Sequence, residues 1–100
     1  MEHVFSVNGN KATLTLAGKL YVHDAGIIRD QLVEKIEAGI HHISINFSDV
    51  TYIDSSGLGV LVTVHKLTQG KNGHLSLSGV HGMVQELLKR TRLDRVLCIE

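Results

Sequence analysis

Residues 43–64 read ISINFSDVTYIDSSGLGVLVTV and contain the strand-to-helix transition around which the rest of the chain is arranged. Apolar and polar residues alternate at its start, and this period of two indicates a half-buried strand. Small polar residues follow, and Ser55 or Ser56 is predicted to cap a helix over about 56–69. That helix is apolar on nearly every side, so we expect it to be deeply buried or partly covered by a partner.

Two further elements are predicted on the amino-terminal side of this stretch. The pair Asn8-Gly9 is a strong hairpin signal, and the alternation over residues 12–16 indicates the strand that follows the turn. Gly18 is predicted to end that strand. Asp24 is the expected N-cap of a helix over about 25–38, whose apolar residues recur at a spacing of four.

The carboxyl-terminal part alternates in the same way, with a strand at 75–77, a helix around 83–88 and a strand at 96–99. Strands that alternate with helices after an opening hairpin indicate an α/β domain with a mixed sheet. We expect residues 1–100 to form a single domain. The lone cysteine, Cys98, lies in an apolar run and is predicted to be a small buried hydrophobe.

Composition excludes several classes of function. The 100 residues contain 10 Lys and Arg against 10 Asp and Glu, and this balance points to neither nucleic acid nor an anionic membrane as a partner. The amino terminus does not resemble a signal peptide, and no apolar run is long enough to span a membrane. We therefore expect a cytoplasmic protein without a membrane or nucleic-acid partner.

No catalytic or metal-binding motif is recognisable. The seven histidines lack metal-ligand spacing and are interpreted as scattered surface residues. The pair Gly57-x-Gly59 is not a dinucleotide fingerprint, because Val62 stands where a third glycine is needed. Neither Ser55 nor Ser56 follows a glycine by two positions, as a hydrolase nucleophile elbow requires. We expect no cofactor, no metal and no intrinsic enzymatic activity.

The start of the second helix is nevertheless unusual. Gly57 and Gly59 each lower helix propensity by about 1 kcal/mol relative to alanine, a cost that asks for a reason. Bare glycine would allow another molecule to approach the serines closely. A helix amino terminus also favours a phosphoryl group, through its free N–H donors and its dipole.

The segment Tyr52-Ile53-Asp54-Ser55-Ser56-Gly57-Leu58-Gly59-Val60 resembles the phosphorylation segment of the STAS domain family, specifically its stand-alone anti-sigma-factor antagonists. The resemblance spans nearly the whole chain. It also includes Leu14-x-Leu16-x-Gly18-x-Leu20, Ile43-x-Ile45-x-Phe47 and Thr91-x-Leu93-Asp94. It implies a small mixed sheet of four or five strands with helices packed mainly on one face.

The resemblance also implies a phosphorylation-controlled switch of partners. The family's acceptor is the first hydroxyl after the aspartate, here Ser55, with Ser56 as the second choice. The partner would be an anti-sigma-factor-like serine kinase with a histidine-kinase-like ATPase fold, and a metal-dependent serine phosphatase would reverse the modification. The unphosphorylated form would bind the kinase and release its client. The segment around the acceptor would contact the kinase through Asp54, Ser56, Gly57, Leu58 and Gly59.

One departure from the family pattern concerns the choice of partner. Relatives commonly read Gly-Glu-x-Asp where this chain has Gly18-Lys19-Leu20-Tyr21. If this loop borders the acceptor, Lys19 and Tyr21 make the local field less negative and tune partner choice. The alternative function is a STAS-type accessory subunit that supports a transporter ATPase or a signalling complex. In that case the serine only caps a helix.

Overall fold

The structure, a computed structural model, describes residues 1–100 as a five-stranded sheet with three α-helices. The elements are β1 (Glu2–Asn8), β2 (Lys11–Leu20), α1 (Val22–Glu37), β3 (His42–Ile53), α2 (Ser55–Gly70), β4 (His74–Ser78), α3 (Gly82–Arg90), a 3-10 turn (Leu93–Arg95) and β5 (Cys98–Ile99). The strand order is β1-β2-β3-β4-β5. The β1–β2 hairpin is antiparallel and the other pairs are parallel, which confirms the predicted mixed α/β sheet.

All three helices pack on one face of this sheet. Successive crossovers between neighbouring parallel strands in one direction place their helices on the same side. A single core cluster of 21 buried residues accordingly includes side chains of the sheet and of every helix. Its members include Leu14, Ile45 and Leu77 from the strands and Leu32, Val64 and Leu88 from the helices. The opposite face, called the outer face below, has no helix over it.

Strand β3 extends to Ile53, although the alternation of apolar and polar residues ends at Phe47. The strand continues through two bulges in its pairing with β2, and these bulges break the alternation. The register passes from Thr15↔Asn46 to Ala17↔Asp49, and each bulge adds one residue to β3. Exposed Ser48 and Asp49 break the alternation, and the bulges return the later residues Val50 and Ile53 to the core.

The prediction that Gly18 ends β2 is wrong for the same reason. Gly18 has a φ of 99°, which favours glycine. It pairs with Val50 next to the second bulge, and the strand continues to Leu20. Lys19 therefore lies within the strand and not in a loop.

Two other predicted boundaries need correction. Helix α1 begins at Val22 with Tyr21 as its N-cap, so Asp24 is not the cap. Its carboxylate instead accepts a hydrogen bond from the Tyr21 backbone N–H at 3.3 Å. The strand predicted over 96–99 contains only its last two residues, and Cys98 is exposed, not buried.

Helix α2 buries one face, including Val60, Leu61 and Val64, rather than its whole surface. Its first turn lies against the last paired residues of β2 and β3. A Cβ built on Gly57 would stand 3.0 Å from Leu20 Cδ2 and 3.2 Å from Ile53 Cβ. Only glycine therefore fits at this position without displacement of its neighbours.

We expect Gly57→Ala and Gly59→Ala to shift stability differently. Both gain helix propensity of about 1 kcal/mol. A Cβ at Gly59 meets no atom within 4 Å, whereas at Gly57 overpacking should cost about 1–3 kcal/mol. Urea unfolding should find Gly59→Ala more stable than the native chain and Gly57→Ala less stable than Gly59→Ala. Equal midpoints for the two variants would show that the close contact at Gly57 carries no energetic cost.

Candidate functional site

The predicted phosphorylation segment lies at the carboxyl edge of the sheet, where α1 and α2 begin side by side. Leu20 and Ile53 are partners at the ends of the parallel strands β2 and β3. The N-caps Tyr21 and Asp54 follow these two residues directly. Two helix amino termini, each with a partial positive charge, therefore begin from adjacent positions. This edge favours anionic groups.

Asp54, and not either serine, caps α2. Its backbone is extended, and its Oδ1 accepts hydrogen bonds from the backbone N–H groups of Ser56 at 3.0 Å and Gly57 at 3.2 Å. The prediction of Ser55 or Ser56 as the cap is wrong by one or two residues, because aspartate is as good an N-cap as serine. The carboxylate thus occupies two of the free donors in the first turn.

The two serines differ in exposure. Ser55, the first residue of α2, is exposed, and Ser56 is half-buried. Neither hydroxyl takes part in a hydrogen bond within the chain. Of Ser56, only the backbone N–H takes part in the cap, as a donor to Asp54. Solvent access, not hydrogen bonding, distinguishes Ser55.

Two tyrosines adjoin this segment. The rings of Tyr21 and Tyr52 lie with their centroids 5.4 Å apart at an angle of 43°. Lys19 is the strand partner of Tyr52, so Lys19 and Tyr21 both border the segment. Tyr21 is 48% exposed. Tyr52 was not among the site residues expected from the sequence, because its position beside Tyr21 depends on the bulged register of β2 and β3.

Three residues predicted to contact a partner differ in their accessibility. Gly57 and Leu58 are buried, and their neighbours lie within the chain. Gly57 therefore does not leave the gap for another molecule that the sequence suggested, because Leu20 of the same chain packs against it. Gly59 is exposed with open space where a Cβ would stand. An approaching surface would therefore meet Ser55 and Gly59, which lie one turn apart on α2.

Other candidate chemistry is absent from the edge. No three His, Cys, Asp or Glu side chains come close enough together to hold a metal ion. No helix of the structure has the length and apolar character needed to cross a bilayer. The largest surface concavity lies elsewhere, on the outer face near the start of β3.

Comparison with known proteins agrees with this geometry. The chain is 33% identical over 92 residues to the anti-sigma-B factor antagonist of Bacillus subtilis, covering 92% of this chain and 84% of that protein. It superposes with a TM-score of 0.91 on an anti-sigma factor antagonist assigned in Thermotoga maritima, at 26% identity and with 97% and 84% of the two chains covered.

Solved structures of SpoIIAA share the fold in both of its states. The unphosphorylated form matches with a TM-score of 0.79 at 20% identity, over 95% of this chain and 97% of that one. The phosphorylated form from Bacillus matches with 0.82 at 19% identity, over 99% and 91%. The family model of the STAS domain matches residues 4–100. With the acceptor-like segment at the helix-start edge, this match shows that the chain belongs to the STAS domain family.

Proposed function

We propose that this protein is a partner-switching regulator controlled by phosphorylation of Ser55. The unphosphorylated form binds an anti-sigma-factor-like serine kinase with a histidine-kinase-like ATPase fold, and the kinase releases its client. Phosphorylation of Ser55 ends that binding, and a metal-dependent serine phosphatase restores it. The protein is a substrate of this cycle and not an enzyme.

The observation that carries the proposal is the exposed Ser55 hydroxyl at an edge where two helices begin. A kinase must bring the γ-phosphate of ATP to the acceptor oxygen, so the hydroxyl must be reachable and free of internal bonds. Ser55 meets both conditions. Its position on a chain similar to an anti-sigma-B factor antagonist supports a regulatory partner.

The cap by Asp54 determines how a phosphate on Ser55 would act. The N–H groups of Ser56 and Gly57 already donate to the Asp54 carboxylate. A phosphate, with about −1.5 to −2 charges at pH 7, would have to displace that carboxylate to use them. It therefore stays directed toward solvent, beside a second negative charge, on the surface that the kinase covers.

The energy available from this charge is sufficient for a switch. Moving a two-state equilibrium from 1:99 to 99:1 takes about 5.5 kcal/mol. Like charges brought together at an interface cost several kcal/mol, and the bulk of the phosphate adds to that cost. No rearrangement of the fold is required, and both forms of SpoIIAA share the fold of this chain.

The first prediction of the proposed switch concerns the acceptor. Incubation with the kinase partner and ATP should add a single phosphate, and fragment mass spectrometry should locate it on Ser55, because this hydroxyl is exposed. Ser55→Ala should remain unmodified, whereas the matched control Ser56→Ala should be phosphorylated like the native chain. Phosphate on Ser56 would overturn the assignment of Ser55 and leave the switch itself intact.

The second prediction separates the switch from the accessory-subunit function. Ser55 is the first residue of α2 and does not cap it, so substitutions there should change stability by only about 0.5 kcal/mol. Ser55→Ala should hold the kinase permanently, and Ser55→Asp should weaken binding because it adds a negative charge beside Asp54. The readouts are the affinity for the kinase and the regulatory output in cells. An accessory subunit would instead tolerate both changes alike.

The third prediction concerns partner choice. Lys19→Glu with Tyr21→Asp should change the affinity for the native kinase, because both residues border the acceptor segment. The fold should persist, since aspartate is a good N-cap at the Tyr21 position. Lys89→Glu, at an exposed position on α3, serves as a control for the reversal of a lysine charge. Binding that is unchanged in the double variant would place this border outside the interface.

A further inference from the structure

The outer face of the sheet contains a concavity that the switch does not use. It has a volume of about 240 Å³ and lies near the amino-terminal ends of β3 and β4. The acceptor segment follows the carboxyl end of β3, so the two sites are at opposite ends of that strand. The helices cover the other face. A ligand in the concavity would therefore leave the kinase-binding edge free.

Strand register brings two rows of polar side chains together in this concavity. Lys11, His42 and His74 are partners across β2, β3 and β4. Two residues further along, Thr13, Ser44 and Ser76 form the second row. Neighbours within a row are separated by about 4.8 Å and the rows by about 6.6 Å. The residues between the rows, Ala12, Ile43 and Leu75, are buried on the helix side, so both rows point to the outer face.

These six side chains are hydrogen-bond donors without internal partners. None of them forms a side-chain hydrogen bond or an ion pair within the chain. The Lys11 ammonium offers three donors, each imidazole at least one, and each hydroxyl one. No Asp or Glu lines the concavity. Although the whole chain is neutral, the patch thus combines a fixed positive charge with converging donors.

We propose that this concavity binds a small phosphate-type oxyanion, either inorganic phosphate or the phosphate of a compact monoester. An oxyanion can accept hydrogen bonds from both rows at once, and such bonds are strengthened by charge. The size of the concavity favours a small ligand, since its volume of 240 Å³ lies below the range of about 300–1,000 Å³ typical of pockets for drug-sized molecules. From their spacing in the sequence, the histidines were expected to be scattered over the surface. Two of them, His42 and His74, meet here only through the sheet register.

The test is a titration of the unmodified full chain with inorganic phosphate at constant ionic strength, followed by ¹H–¹⁵N NMR. Saturable shifts should centre on the amides of residues 11–13, 42–44 and 74–76. Lys11→Ala and His74→Ala should each weaken binding by at least about tenfold, as the loss of a charge-assisted hydrogen bond implies. Both residues are exposed, so circular dichroism should show the native fold. Lys66→Ala, an exposed lysine on α2, should bind like the native chain.

Glycerol 3-phosphate in a parallel titration distinguishes the two sources of the ligand. Tighter binding than inorganic phosphate assigns the site to a monoester, and equal or weaker binding assigns it to the free anion. The proposal is overturned by shifts that do not saturate, by equal affinities in the Lys11→Ala and Lys66→Ala variants, or by shifts confined to residues 54–57. No kinase is present in this experiment, so its outcome is independent of the phosphorylation switch.

Discussion

The close approach of Gly57 to Leu20 and Ile53 is the constraint on which the geometry of the candidate site depends. Because residue 57 has no side chain, α2 can begin directly against the last pair of β2 and β3. That approach aims the first-turn N–H groups at the Asp54 carboxylate and turns Ser55 outward. Glycine lowers helix propensity at this position, but a larger residue would press against Leu20 and Ile53.

Because all the helices lie on one face of the sheet, the proposed acceptor edge and the proposed oxyanion site are on separate surfaces. All apolar helix faces meet in one core cluster, so the sheet has to be apolar on one side only. Its outer face is then free to present polar side chains such as Lys11 and Ser44. Most parallel sheets are covered on both faces and lack this surface.

Sequence periodicity predicted most of the elements, but it did not predict features that depend on how the strands pair in the folded sheet. The hairpin, the helices and the strands around Leu14, Ile45 and Leu77 follow from alternation and turn residues. The bulges at Ser48 and beyond do not, because they become visible only as a change of pairing partner. The strand predicted over 96–99 was too long, because Val96 is the C-cap of the preceding 3-10 turn and the Leu97 backbone N–H donates to the Leu93 carbonyl oxygen.

The predicted segment lies at the start of a helix, as expected, but its local structure differs from the prediction. The composition of the segment predicted a helix start. Asp54, Ser55 and Ser56 are all residue types that can cap a helix, and only the structure shows that Asp54 is the cap. Gly57 was expected to leave space for another molecule, but the space beside it is occupied by Leu20 and Ile53 of the same chain. The sequence shows that a side chain is missing there, but it does not show which atoms lie nearby. Tyr52 lay within the quoted motif, yet its contact with Tyr21 requires the register.

The strand order of the sheet, which is also the order of the chain, has a consequence for how the protein is made. Each new strand is added at the growing edge, and none must be inserted between strands that are already paired. Each parallel connection joins neighbouring strands through a single α-helix. During synthesis the amino-terminal hairpin emerges first and can act as the template for β3, and β3 for β4. Assembly can then proceed in the direction of translation.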